Sequence, residues 1–111
     1  MKHIVLTERK VKENVKKLLA MFGIFPASKA GAFPEDSYGW YFMPAQSGMG
    51  VSGIPDFIGK YKGRFFAVET KAPGKKPTGF QKLQIDAINT SPGPCFVIDG
   101  DVAELEEWLK I

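Results

Sequence analysis

Hydrophobic positions recur along this chain with two different periods, and the changes of period mark out its elements. Between Thr7 and Phe22, the residues Val11, Val15, Leu18, Leu19 and Phe22 fall on one helical stripe. Thr7 is placed to cap the start of that helix, and Gly23 to end it as the C′ residue. Residues 26–37, rich in Pro, Gly and Ala, predict an ordered loop or flap. Tyr38 to Ala45 reads as an aromatic-rich strand ending near Pro44, Gln46 to Gly53 as a glycine-rich turn, and Ile54 to Gly59 as a short strand. Lys62-Gly63 reads as a turn into a third strand, Arg64 to Lys71. Pro77 to Asn89 reads as a second helix, Pro94 to Asp99 as a fourth strand, and Asp101 to Leu109 as a short closing helix. The expected order is α-β-β-β-α-β-α, an α/β fold with a central mixed four-stranded sheet flanked by helices.

With 111 residues, the sequence predicts a single domain over 1–111. No apolar run approaches the ~18 residues of a membrane-spanning helix, so no membrane partner is expected. The first eight residues hold no apolar stretch of signal-peptide length, which points to the cytoplasm. One cysteine, Cys95, and one histidine, His3, rule out an internal disulfide and a Cys/His zinc site within one chain. They also argue against a Ser-His or Cys-His nucleophile, which would have to use His3. A bound metal must then take carboxylate and backbone oxygens, the chemistry of magnesium or manganese. A net charge of +3 is compatible with a nucleic-acid partner without requiring one.

Two glycine patterns carry no nucleotide cofactor. Gly48-Met-Gly50-Val-Ser-Gly53 spells GxGxxG, but Pro55 and a β-like run follow it where a dinucleotide site needs a helix N-terminus. Gly74-Lys75-Lys76 lacks the glycine spacing of a phosphate-binding loop.

The candidate chemistry gathers around Glu69 and Lys71. Alternation along a strand puts Phe65, Ala67, Glu69 and Lys71 on one face and Phe66, Val68 and Thr70 on the other. Taken alone, Glu69 and Lys71 describe a strand-end ion pair at the surface. Asp56, on the face shared by Ile54 and Ile58, brings a second acid to a neighbouring strand. Two carboxylates held close repel unless a cation neutralises them, and magnesium with one or two carboxylates, waters and a substrate phosphate suits this set. On the first helix, with Val11 at zero and ~100° per residue, Glu8 falls near ~60°, inside the apolar stripe, and Glu13 near ~200°, opposite it. Glu8 therefore faces the sheet, although an acid in a first turn also serves the helix dipole. Glu13 joins Lys10, Lys16 and Lys17 on the wet side, pairing with Lys17. Thr78-Gly-Phe-Gln81 fits a capping box, which by itself accounts for Gln81.

In this order the pieces resemble the PD-(D/E)xK nuclease superfamily, and more narrowly a standalone VRR-NUC (virus-type replication–repair nuclease) domain. The similarity rests on Ser52-Gly-Ile-Pro-Asp56, Phe65-Phe-Ala-Val-Glu69, Lys71-Ala-Pro-Gly74 and Thr78-Gly-Phe-Gln81, and it covers nearly the whole chain. Glu8, in Thr7-Glu-Arg-Lys-Val11, is the best match to the family's early helical glutamate. The resemblance implies a PD-(D/E)xK restriction-endonuclease-like core and a Mg2+- or Mn2+-dependent endodeoxyribonuclease. It implies Asp56, Glu69, the backbone carbonyl of Thr70 and Glu8 as metal ligands, with Asp56, Glu69, Lys71, Gln81 and Glu8 as the catalytic set. It further implies a homodimer that cuts branched DNA of the Holliday-junction kind in DNA repair, encoded by phage or prophage and acting in the bacterial or phage-infected cytoplasm. Symmetric cutting of a four-way junction needs two sites related by a two-fold axis. Trp40, Tyr41 and Phe42, which cannot share one buried strand face, offer surface for a second copy. The competing functions are a nickase or flap nuclease of low specificity, and a non-catalytic nucleic-acid-binding module.

Overall fold

In a computed structural model, residues 6–28, 39–45, 51–90 and 92–111 are described. Most of the expected 26–37 flap, part of the 46–53 turn and GxGxxG run, Tyr38 and His3 lie outside them. The protein is α/β, with a mixed five-stranded sheet and three helices among the described residues. The elements are α1 (Glu8–Met21), β1 (Ile24–Pro26), β2 (Gly39–Phe42), β3 (Phe57–Tyr61), β4 (Arg64–Thr70), α2 (Gly79–Ile88), β5 (Cys95–Ile98) and α3 (Ala103–Leu109). Strand order in the sheet follows chain order, with β1 parallel to β2, β2–β3–β4 antiparallel, and β5 parallel to β4.

The local signals explain most of these boundaries. The Thr7 hydroxyl accepts the Lys10 amide at 3.1 Å, and Gly23 takes φ of +78° just past the last turn of α1. β3 and β4 meet across Lys62-Gly63, both with positive φ, which suits the right-handed twist of a two-residue hairpin. The sheet has one strand more than the four expected. β1 is only three residues long, ends in a proline and pairs in parallel with β2, so no local alternation announces it. β3 also begins later than expected. Pro55 has no N–H to give a ladder, and the chain bends at Asp56, so pairing starts at Phe57.

Each face of the sheet has its own apolar cluster. Val11, Val15, Leu18 and Leu19 of α1 and Leu105 and Leu109 of α3 pack with Tyr41, Phe57, Tyr61, Phe66 and Val68. On the opposite face, Ile85 of α2 meets Ala67 and Cys95. Tyr41 is therefore core, while Trp40 and Phe42 point the other way and contact each other at 5.5 Å between ring centroids. Arg64 lies 4.1 Å over the Trp108 ring and reaches the Trp108 carbonyl, tying α3 to the start of β4. No helix among the described residues is long and apolar enough to cross a membrane.

Candidate active site

β4 is apolar until its last two residues, and those two open the site. Glu69 points to the α2 face and is 1% exposed; Thr70 points to the α1 face and is fully buried. β3 has already run out here, since its first rung pairs Phe57 with Val68. Where the next carbonyl would stand, the Asp56 carboxylate takes its place. Asp56 Oδ2 accepts the Thr70 amide at 2.9 Å and the Thr70 hydroxyl at 2.7 Å. Asp56 is thus a side-chain extension of the sheet rather than a residue of β3, and it is only 8% exposed.

Gln81 closes the site from the α2 side. Its Oε1 accepts the Thr78 amide at 2.8 Å and its backbone N–H reaches the Thr78 hydroxyl at 3.3 Å, which completes the capping box. Its free Nε2 donates to Glu69 Oε1 at 3.4 Å. The capping and site readings of Gln81 both hold, because they use different atoms of one amide.

Gly53 holds this first turn of α2 against the loop that carries Asp56. It has φ of +81°, and a Cβ there would press on the Phe80 carbonyl and come within 2.7 Å of the Gln81 nitrogen. Gly53→Ala is accordingly expected to cost ~1–3 kcal/mol, from left-handed backbone strain and overpacking. A lowered thermal midpoint checks this, and an unchanged one would show that the contact is slack.

The electrostatics centre on Glu69. Its Oε2 is buried with no hydrogen-bond partner among the described residues. Burial pushes its carboxyl up to about 8, with further upward pressure from the neighbouring Asp56 carboxylate. Lys71 counters this by charge alone, and Glu8 adds to the upward push. Lys71 makes no ion pair with Glu69 among the described residues, so the arrangement is not the surface ion pair that their spacing suggests. Beneath them, burial and the charge of Glu69 push the Cys95 thiol up to about 12, which keeps it from acting as a thiolate.

The helix acids separate as their phases predict, with one difference. Glu13 pairs outward with Arg9 and Lys10 at 3.7 and 3.6 Å, rather than with Lys17. Two cations on the preceding turn take the carboxylate first. Glu8 lies on the site's side but does not join Asp56 and Glu69. Among the described residues no three His, Cys, Asp or Glu side chains gather closely enough to hold a metal. Instead Lys12, which no hydrophobic or motif pattern singles out, sits 3.7 Å from both Glu8 Oε2 and Asp56 Oδ1.

These atoms fit a small hard cation. Each buried acid has one oxygen hydrogen-bonded within the protein, Asp56 Oδ2 to Thr70 and Glu69 Oε1 to Gln81; of the other two, Asp56 Oδ1 faces Lys12 and Glu69 Oε2 has no partner among the described residues. A pair of single carboxylate oxygens, completed by backbone oxygen and water, is an octahedral donor set. The orphaned Glu69 Oε2 is the atom that most needs it. Comparison of the chain with protein-family models, with curated proteins and with solved structures found no match.

Proposed function

We propose that this protein is a Mg2+- or Mn2+-dependent endonuclease of the PD-(D/E)xK type, similar to VRR-NUC domains, that hydrolyses DNA phosphodiesters and prefers branched, junction-like DNA. One observation carries the reading: the unpartnered, buried Oε2 of Glu69 beside Asp56, at the end of the strand whose next side chain on that face is Lys71. An acid with its carboxyl held near 8 is expensive to keep unless a cation balances it when it ionises. Asp56, Glu69 and the Thr70 carbonyl would hold the ion, with Glu8 reaching its water shell. When bound, the ion supplies Lewis acidity at the phosphate and lowers the pKa of water. Gln81 fixes Glu69 by its amide, Thr70 fixes Asp56, and Lys71 stands free to orient water or to balance charge building on the phosphate. Exposed Lys75 and Lys76, ahead of α2, supply charge for a phosphate backbone. Symmetric cutting of a junction calls for a homodimer.

The test is incubation of the protein with labelled four-way junction, flap and linear duplex in magnesium, in manganese and in chelator. Cleavage that needs the ion and favours the junction is expected. Folded protein that cuts none of these substrates in either metal would overturn the proposal, and cutting all three equally would point to the low-specificity nickase.

Two variant sets divide the roles. Lys71→Ala should lose ~10²–10³-fold in cleavage rate while still binding the cation, because the amine acts on transition-state charge. Loss of cation binding in that variant would show that Lys71 is structural. Glu8→Gln should weaken cleavage strongly and Glu13→Gln should leave it nearly unchanged, since Glu13 sits in exposed pairs worth only ~0.3–0.5 kcal/mol. Single-turnover rates set beside thermal midpoints separate this from a dipole role for Glu8, which would lower stability and spare the rate.

A further inference from the structure

We infer that Lys12 is a built-in counter-ion that occupies the candidate cation site's free Asp56 oxygen and must leave before a divalent ion can bind. The inference rests on the proposed metal site but concerns a residue that the nuclease pattern does not use.

Three observations lead to it. First, the Asp56 oxygen that Lys12 faces is Oδ1, the one not committed to Thr70. Lys12 therefore covers the only Asp56 oxygen left for a cation. Second, Lys12 holds Glu8 through the same ammonium, at the same 3.7 Å. Glu8 is thereby kept out of the Asp56–Glu69 pair, which accounts for a helix acid that faces the site without joining it. Third, the Lys12 side chain is 29% exposed, so the ammonium is not sealed in the interior and has solvent to move into. A lysine four residues after Glu8 makes a favourable helical pair in its own right, so the ammonium has a partner to retreat to.

The two cations compete for one atom. In the metal-free protein a single positive charge serves both Asp56 and Glu8. A divalent ion held by Asp56 and Glu69 would need the oxygen that Lys12 now faces, so Lys12 would have to give up Asp56.

Removing the competitor should tighten metal binding. Calorimetric titration with Mn2+ alone, without DNA, is the measurement, applied to wild-type, Lys12→Met and Lys12→Arg. Lys12→Met should bind Mn2+ about 5- to 10-fold more tightly than wild-type, the scale of a partly buried ion pair lost by the metal-free state. Lys12→Arg, which keeps the charge, should bind close to wild-type. Lys12→Gln makes the same comparison if the methionine variant folds poorly. If Lys12→Met binds Mn2+ equally or more weakly than a wild-type protein that does bind it, Lys12 instead positions Asp56 and this inference alone falls. A wild-type protein that takes up no Mn2+ overturns the metal site itself, and the inference with it.

Discussion

Glu69→Gln should yield a folded protein that no longer cuts DNA in magnesium or manganese, with the rate down by ~10³-fold or more. The substitution is nearly isosteric. It preserves an acceptor for Gln81 and removes only the charge that the ion needs. Asp56→Asn should behave alike, because an amide oxygen still accepts the Thr70 amide and hydroxyl where alanine would leave both without a partner. Circular dichroism on the same samples shows whether the fold survives. Either variant cutting at the wild-type rate would mean that the catalytic acids lie elsewhere. The same Glu69→Gln change should make the metal-free protein harder to unfold at alkaline pH, since it removes a buried charge that nothing in the chain fully balances. A site that loses activity while gaining stability is expected where function keeps an unfavourable group in place.

The second large effect is on stability as a function of pH, measured in chelator. The Glu69 carboxyl rises from an ordinary 4.5 to about 8 in the folded protein, through burial first and Asp56 second. Below 4.5 both folded and unfolded chains hold the proton, and the contribution to stability is complete. As pH rises, the unfolded chain releases its proton first, so the contribution shrinks and is gone above about 8. Metal-free wild-type should therefore lose stability between pH 5.5 and pH 8.5 relative to Glu69→Gln, by a few kcal/mol in denaturant titrations. Saturating Mn2+ should reverse the trend, because it binds the ionised form. Parallel pH curves for the two proteins would show that Glu69 ionises as freely folded as unfolded.

How far the sequence disclosed this arrangement depends on the range of each interaction. α1, α2 and β4 were legible because their signals lie within a few residues: a stripe and a cap at Thr7, a Thr-x-x-Gln box, an unbroken run from Arg64. β1 was not, since three residues ending in proline become a strand only through a distant partner. β3 starts later than its alternation suggests because Pro55 and the bend at Asp56 break the ladder before Phe57. The resemblance, rather than spacing alone, grouped Asp56, Glu69, Lys71, Gln81 and Glu8; Glu69 meets Gln81 by a hydrogen bond and feels Asp56 and Lys71 as charges, while Glu8 stays with Lys12. Which oxygen of each acid is spoken for was not legible, because that depends on tertiary distances of a few tenths of an ångström. Lys12 left a trace that could have been followed: it is four residues from Glu8 and, at ~100° on the wheel, borders the apolar stripe rather than the wet face.

On its β3 edge, the last rung of β4 is made by a carboxylate, and this turns one backbone amide into a reporter. The Thr70 N–H is held by Asp56 Oδ2 in place of a strand carbonyl. Its exchange with deuterium then follows whether Asp56 keeps that bond, while the amide of Ala67, bonded to the Pro94 carbonyl, follows the opening of the sheet as a whole. The difference between these two protection factors reads whether the acid holds its place, without substrate or mutation.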